Sequence, residues 1–188
     1  MRTLNEIWKQ LSDAGFETDK GSYHSYIDVY EKLLAPYRET AKNVLEIGLF
    51  KGNSLRMWEQ YFTTANVHGI DCEEQPHGGM ADLRPMIAEG THNIHILDGT
   101  SEEKIEKEFE NTKWDIVIDD SNHITESQLR SFEIFKTRMA DGGLYIIEDP
   151  QNLEEDKERY LAMHENVEIV DLRENKQRYD DALILIRL

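Results

Sequence analysis

Cysteine is almost missing from this chain: Cys72 is the only one in 188 residues. An internal disulfide is excluded, and a reducing, cytoplasmic setting is expected. Long apolar runs are missing too. None approaches the roughly 18 residues needed to cross a bilayer, and Met1–Glu6 lacks the apolar core of a secretory signal, so secretion is not expected. Only four prolines and 11 glycines occur, with no Pro-, Gly- or Ser-rich linker, no internal repeat and no low-complexity segment. Positive charge is scarce. The 21 Lys and Arg against 38 Asp and Glu give a net charge of −17, with no basic run and no basic-aromatic stripe. Nucleic acid and anionic membranes would be repelled at long range, so neither is expected as a partner.

What is present is a single α/β pattern, read as one domain over 1–188 with a helical cap at 1–40 and a catalytic core at 41–188. Thr3-Leu4-Asn5-Glu6 is a capping box that opens an amphipathic helix ending at Gly15. A second helix is expected from Tyr23 to Ala35, stopped by Pro36. Strands follow at Val44–Ile47, Val67–Ile70, Ile94–Leu97, Ile116–Ile118 and Leu144–Ile147. Helices alternate with them at about Ser54–Phe62, Ala81–Ala88, Glu102–Glu110 and Glu126–Met139. That alternation predicts a doubly wound parallel sheet. After a helix at Asn152–His164, Val167–Leu172 and Ala182–Leu188 are strands separated by only a polar loop. They are too close for a right-handed crossover and should pair antiparallel. The expected architecture is a mostly parallel seven-stranded sheet with a C-terminal antiparallel hairpin.

Acids gather at the ends of these strands. Ligands of open α/β sheets bind outside the carboxyl ends of the strands. Strand four ends in Asp119-Asp120 and is followed by Ser121-Asn122-His123, and strand five ends in Glu148-Asp149. Asp120, Glu148 and Asp149 are hard oxygen donors without cysteine or paired histidines nearby, a set that suits Mg²⁺ and disfavours zinc. Two positions on such an ion would suit neighbouring oxygens of a diol, and His123 is placed to accept a hydroxyl proton. The same acids also fit helix N-caps and first-turn carboxylates, and one of Asp119 and Asp120 suits that role.

The first strand runs into Glu46-Ile47-Gly48-Leu49-Phe50-Lys51-Gly52, a glycine turn opening a helix. It is not the G-x-G-x-x-G of dinucleotide folds. Asp71 ends the second strand about 20 residues on, where a carboxylate can accept ribose hydroxyls, and Asp98 ends the third. Strand-end acids in series favour a cationic sulfonium cofactor over a nucleotide phosphate.

Two resemblances follow. The strand layout and the turn resemble class I S-adenosylmethionine (SAM) methyltransferases, a Rossmann-like fold, in which the region of Asp98 touches the adenine. More specifically, Thr18-Asp19-Lys20-Gly21-Ser22-Tyr23-His24, Leu45-Glu46-Ile47-Gly48, Gly52-Asn53-Ser54-Leu55-Arg56-Met57-Trp58 and Asp119-Asp120-x-x-His123 resemble the Mg²⁺-dependent macrolide sugar O-methyltransferases. These are the mycinamicin and tylosin type, grouped with cephalosporin-hydroxylase-like proteins. The resemblance runs from Thr18 to Asp149. It implies Asp120, Glu148 and Asp149 as Mg²⁺ ligands and His123 as base. Lys20, Glu46, Gly48, Asp71, Asp98 and Asp119 make up the expected cofactor set, with Thr18–Gly21 and His24 folded over the cofactor and Lys20 on the methionine carboxylate. The expected substrate is a small molecule with a sugar or polyol hydroxyl. The alternatives are a catechol-type phenol O-methyltransferase and a non-catalytic SAM-binding protein. A two-histidine iron site is disfavoured, because no second histidine accompanies the acids. The family usually reads Asp-Asp-Gly-Ser-His where this chain has Asp119-Asp120-Ser121-Asn122-His123, which bears on the turn that aims the histidine. Trp58, Tyr61 and Phe62 are expected in the core, and His92 and His95 in structural roles. Trp8 with Tyr23, Tyr26 and Tyr30 should pack the N-terminal helices on the fold or on a second subunit, leaving a homo-oligomer open.

Overall fold

A computed structural model describes residues 1–72 and 83–188. Seven strands form one sheet: β1 (Asn43–Ile47), β2 (Asn66–Asp71), β3 (Asn93–Ile96), β4 (Trp114–Asp119), β5 (Met139–Glu148), β6 (Val167–Asp171) and β7 (Ala182–Arg187). Their order is β3-β2-β1-β4-β5-β7-β6. The first five pair parallel, and β7 runs antiparallel to both β5 and β6. The order in which strands are laid down reverses between β1 and β4, and this switch point opens a crevice at the carboxyl edge.

Alternation along the strands sends side chains into two cores. Val44, Ile116, Ile118 and Ile146 face one core, built with α1 (Leu4–Asp13), α3 (Ile27–Leu34) and α4 (Asn53–Tyr61). Leu45, Ile47, Val117, Tyr145 and Ile147 face the other, which is covered by α6 (Glu102–Glu108), α7 (Thr125–Phe135) and α8 (Leu153–Leu161). Three further short helices are α2 (Asp19–Ser22), α5 (Arg84–Glu89) and α9 (Arg173–Lys176). The Thr3–Glu6 capping box forms as expected. Trp58, Tyr61 and Phe62 are buried in the first core. No described helix is long and apolar enough to cross a membrane.

Three elements differ from the sequence reading. The helix expected over Tyr23–Ala35 breaks into α2, a linking segment, and α3 followed by a 3-10 turn at Ala35–Tyr37. Long-range hydrogen bonds of His24 and Tyr26 outweigh helix periodicity there. The helix expected to reach Met139 ends at Phe135, and a 3-10 turn at Lys136–Arg138 leads directly into β5. β5 starts five residues earlier than Leu144, because Met139 pairs with Trp114 before the register shifts to bring Leu144 opposite Ile116. The start of the helix expected at Ala81–Ala88 lies outside the described residues; α5 covers the rest. His92 and His95 are structural: His92 bonds Glu59 and Glu89, while His95 bridges His68 and Glu108.

Candidate functional site

The crevice holds a cavity of about 810 Å³ that runs from the β1 turn across to the end of β4. Its wall includes Gly48, Phe50, Asp71, Asp98, Asp120 and His123, as well as Thr18, Asp19, Ser22 and Tyr23 from the N-terminal segment. The size falls within the usual range of small-molecule sites.

The wall nearest β1 is a backbone cradle. Gly48 has φ +87°, and a Cβ there would overlap the Asp120 carbonyl and stand 2.8 Å from Ser121 Cα. Only glycine lets the β1 turn lie against the β4 turn. Asp71 Oδ2 accepts the backbone N–H of Leu49 (2.8 Å) and of Phe50 (3.1 Å), so this acid shapes the cradle while lining the cavity. Asp98 forms a local turn, accepting the N–H and the hydroxyl of Thr100 at 2.8 and 2.7 Å.

Two residues expected at the cofactor lie outside the cavity wall. Glu46 is fully buried beneath the cradle, where it accepts from Ser54 Oγ (2.9 Å) and Trp58 Nε1 (3.1 Å). Burial pushes its carboxyl up to about 7, against the pull of Lys20. Asp119 is also fully buried, accepting from Tyr145 OH at 2.9 Å and Ser121 Oγ at 2.7 Å; burial raises it to about 6. Neither belongs to the cavity wall, because β-strand alternation turns both side chains away from the edge.

Lys20 lies furthest from its expected surroundings. It does not face the cavity but is fully buried, with Nζ 2.5 Å from Asp120 Oδ2, 2.8 Å from Glu148 Oε2 and 3.5 Å from Glu46 Oε1. A buried ammonium demands opposite charge, and the acid cluster supplies most of it. Burial lowers its pKa, but Asp120, Glu148 and Glu46 together outweigh that and hold it well above its ordinary value.

The acids of β4 and β5 are gathered as expected, though not all on one point. Ligand atoms of Asp120, His123 and Asp149 lie within 4.8 Å of one another. Glu148 turns the other way, and its two oxygens are taken by Lys20 and by Tyr30 OH (2.6 Å). Asp149, at φ +53°, accepts from Tyr26 OH and lies 3.3 Å from His24 Nε2. Burial, and then the charge of Asp120, push its carboxyl up to about 8. A second group, His24 with Asp149 and Asp180, is also close-set, but Arg178 already holds both oxygens of Asp180.

Sequence reasoning thus missed a strap. Lys20, His24, Tyr26 and Tyr30 each put a polar group onto the acids at the ends of β4 and β5. A repeated polar or aromatic residue at intervals of two to four along 18–30 was the available signal. Tyr26 and Tyr30 do pack inward as expected, whereas Tyr23 is exposed.

His123 has φ +58°, and its Nε2 lies 4.0 Å from Asp120 Oδ1. Its Nδ1 is buried without a hydrogen-bond partner. The turn that aims it is made by the two residues that depart from the family pattern. Ser121 bonds Asp119 through N and Oγ, while Asn122 accepts the Ile124 N–H and donates to Ser127. Ser121 itself has no positive φ, so no glycine is required there.

The site also fits a divalent cation. Four carboxylates (Glu46, Asp120, Glu148 and Asp149) share a buried neighbourhood with the single ammonium of Lys20. The cluster point at Asp120, His123 and Asp149 is rich in hard oxygen.

A family model described as a methyltransferase domain matches residues 45–150. The chain is 32% identical over 141 residues to the 8-demethyl-8-alpha-L-rhamnosyl tetracenomycin-C 2'-O-methyltransferase of Streptomyces olivaceus, covering 71% of this chain and 35% of that one. It is 31% identical over 147 residues to the mycinamicin VI 2''-O-methyltransferase of Micromonospora griseorubida, covering 74% and 35%. The chain spans about a third of the length of these curated relatives. Among solved structures, the MycE methyltransferase of the mycinamycin biosynthetic pathway, in complex with Mg and SAH, matches with a TM-score of 0.72 at 22% identity. That match covers 99% of this chain and 55% of that one. An O-methyltransferase from Bacillus cereus in complex with SAH matches with 0.59 at 16% identity, covering 99% and 90%. At these identities the structural likeness is one of fold. With more than half of its length inside the family model, the chain belongs to the methyltransferase-domain family.

Proposed function

We propose that this chain carries a Mg²⁺-dependent O-methyltransferase activity, moving a methyl group from SAM to a hydroxyl of a sugar or polyol-bearing small molecule. The observation that carries the proposal is the shared cavity. The Gly48–Asp71–Asp98 cradle and the Asp120–His123 pair line one continuous space, so a sulfonium donor and a hydroxyl acceptor can meet between them. The name of one similar curated protein, a rhamnosyl tetracenomycin-C 2'-O-methyltransferase, supports the sugar acceptor.

Asp71 and Asp98 would receive the ribose and adenine end of SAM, with the methionine portion along the Gly48 turn. Asp120 and Asp149 would hold the metal, with Glu148 the third candidate once its carboxylate is released from Lys20 or shared with it. Bound there, the ion supplies Lewis-acid activation and orientation of the acceptor oxygen. His123 Nε2, the nitrogen on the Asp120 side, accepts the hydroxyl proton. The acceptor oxygen bonds to the methyl carbon as the carbon–sulfur bond breaks, and the electron pair stays on sulfur. Thr18, Asp19, Ser22 and Tyr23 form the cavity roof as a lid over both ligands.

The test is methyl transfer from SAM to a panel of deoxysugar glycosides and small catechols. Glycoside turnover that EDTA abolishes and Mg²⁺ restores is expected. His123→Ala should keep SAH binding while losing about 10²–10⁴-fold in turnover, the usual weight of a general base. Full turnover in EDTA would reject the metal role, and turnover of catechols alone would reject the sugar acceptor.

A further inference from the structure

Lys20 has a position that the proposed chemistry does not use. Its ammonium has three hydrogens and faces three carboxylates: Asp120, Glu148 and Glu46. Its position is fixed from both sides. Gly21 packs so tightly on the Trp8 indole that a Cβ would overlap the ring. Lys176 Nζ, on the far side of the same segment, donates to the carbonyls of Gly21, Ser22 and His24 at 2.8, 3.0 and 2.7 Å. This is an ammonium held in place by its backbone as well as by its counter-charges.

The charge it neutralises belongs to the same group that would attract a divalent ion. Asp120 Oδ2 accepts from Lys20, Oδ1 lies 4.0 Å from His123 Nε2, and a carboxylate oxygen of Asp120 lies within 4.8 Å of ligand atoms of both His123 and Asp149. We propose that Lys20 is a resident cation of the acid cluster, which keeps the metal-free carboxylates folded together and thereby weakens their hold on a divalent ion. The inference rests on the metal reading given above. Its physical basis is Coulomb repulsion between two cations drawn to one partly buried carboxylate, which is strong at short range. Loss of preorganisation on removing Lys20 acts in the opposite direction. It is the smaller effect, because Tyr26, Tyr30 and Ser54 still hold Asp149, Glu148 and Glu46.

The experiment is calorimetric titration of MgCl₂ into the parent chain, Lys20→Met and Lys20→Arg, with melting temperatures in EDTA and in Mg²⁺. Lys20→Met is expected to bind Mg²⁺ at least about tenfold more tightly than the parent. It should melt lower in EDTA and gain more on adding Mg²⁺. Lys20→Arg, which keeps the charge, should stay near the parent in Mg²⁺ affinity. If Lys20→Met is unfolded in EDTA, Mg²⁺ titration followed by circular dichroism reads the same linkage. Recovery of the fold supports the inference, and a chain still unfolded in saturating Mg²⁺ overturns it. An equal or weaker affinity in folded Lys20→Met sinks this inference alone. No Mg²⁺ binding by either the parent or folded Lys20→Met sinks the metal site and this inference with it.

Discussion

At Gly48 the two halves of the site touch through backbone alone. The turn after β1 leans on Asp120 and Ser121 after β4, so one missing side chain sets the distance between cofactor cradle and acid cluster. Gly48→Ala would place a methyl against the Asp120 carbonyl and would hold alanine at φ +87°. The backbone cost is about 1–2 kcal/mol and the overpacking about 1–3 kcal/mol. The expected result is a chain destabilised by roughly 2–5 kcal/mol in urea unfolding that has also lost SAH binding. A variant as stable as the parent with unchanged SAH affinity would show that the turns are not coupled. Backbone strain is concentrated at the same edge. Of the four described non-glycine residues with positive φ, Phe50, His123 and Asp149 all lie at ends of strands around the site. Such strain persists only where the surroundings dictate it, and it marks functional positions.

At the scale of elements, the strap from Thr18 to Tyr30 is the part with two tasks. Thr18, Asp19, Ser22 and Tyr23 face the cavity, while Lys20, Tyr26 and Tyr30 reach the acids behind it. Tyr30→Phe removes one hydroxyl from a fully buried carboxylate oxygen of Glu148 and leaves the ring contacts with Trp58 in place. Leaving a buried acceptor short of a donor costs about 1–3 kcal/mol. Metal-free urea unfolding should show that loss. Tyr37→Phe, which removes an exposed bond to the Gly142 carbonyl, should cost less than about 0.5 kcal/mol. Equal costs for the two variants would deny the strap its hold on the acids. The strap also marks where the sequence became hard to read. The parallel strands, the terminal hairpin and the acids at their ends were legible, because period-two burial and strand-end placement are local patterns. Val117 between Ile116 and Ile118 is enough to divide the two cores. The strap obeys no local period. Lys20 and Tyr30 meet Glu148 at separations of 128 and 118 residues, and such bonds override the helical spacing that suggested one helix over Tyr23–Ala35. Glu46 and Asp119 are hard to place for a related reason. A strand-end acid is visible in a sequence, but whether its side chain points over the edge or into the core depends on the register of the pleat.

Over the whole molecule, the −17 charge divides into two kinds. Most carboxylates are solvated, and their mutual repulsion is screened by salt over about 8–10 Å. A few are buried, and salt reaches them poorly. Glu46 is the clearest of these outside the proposed metal ligands: fully buried, and raised from 4.5 to about 7 chiefly by burial. The sign follows from proton linkage. Between pH 4.5 and 7 the folded state keeps a proton that the unfolded chain has released, so stability contributed by this group is complete below 4.5 and is lost as pH rises through about 7. The shift corresponds to about 3 kcal/mol across that window. Metal-free unfolding free energy should therefore fall between pH 5 and 7 even in 0.5 M salt, where surface repulsion is largely removed. Glu46→Gln cannot titrate. Whatever its baseline stability, since its amide must still meet Ser54, Trp58 and Lys20, its curve over the same window should be flatter by about that amount. Parallel curves for the parent and Glu46→Gln would mean that Glu46 is already ionised in the fold at pH 5. The ammonium of Lys20 would then outweigh burial at this carboxylate as it does at its own nitrogen.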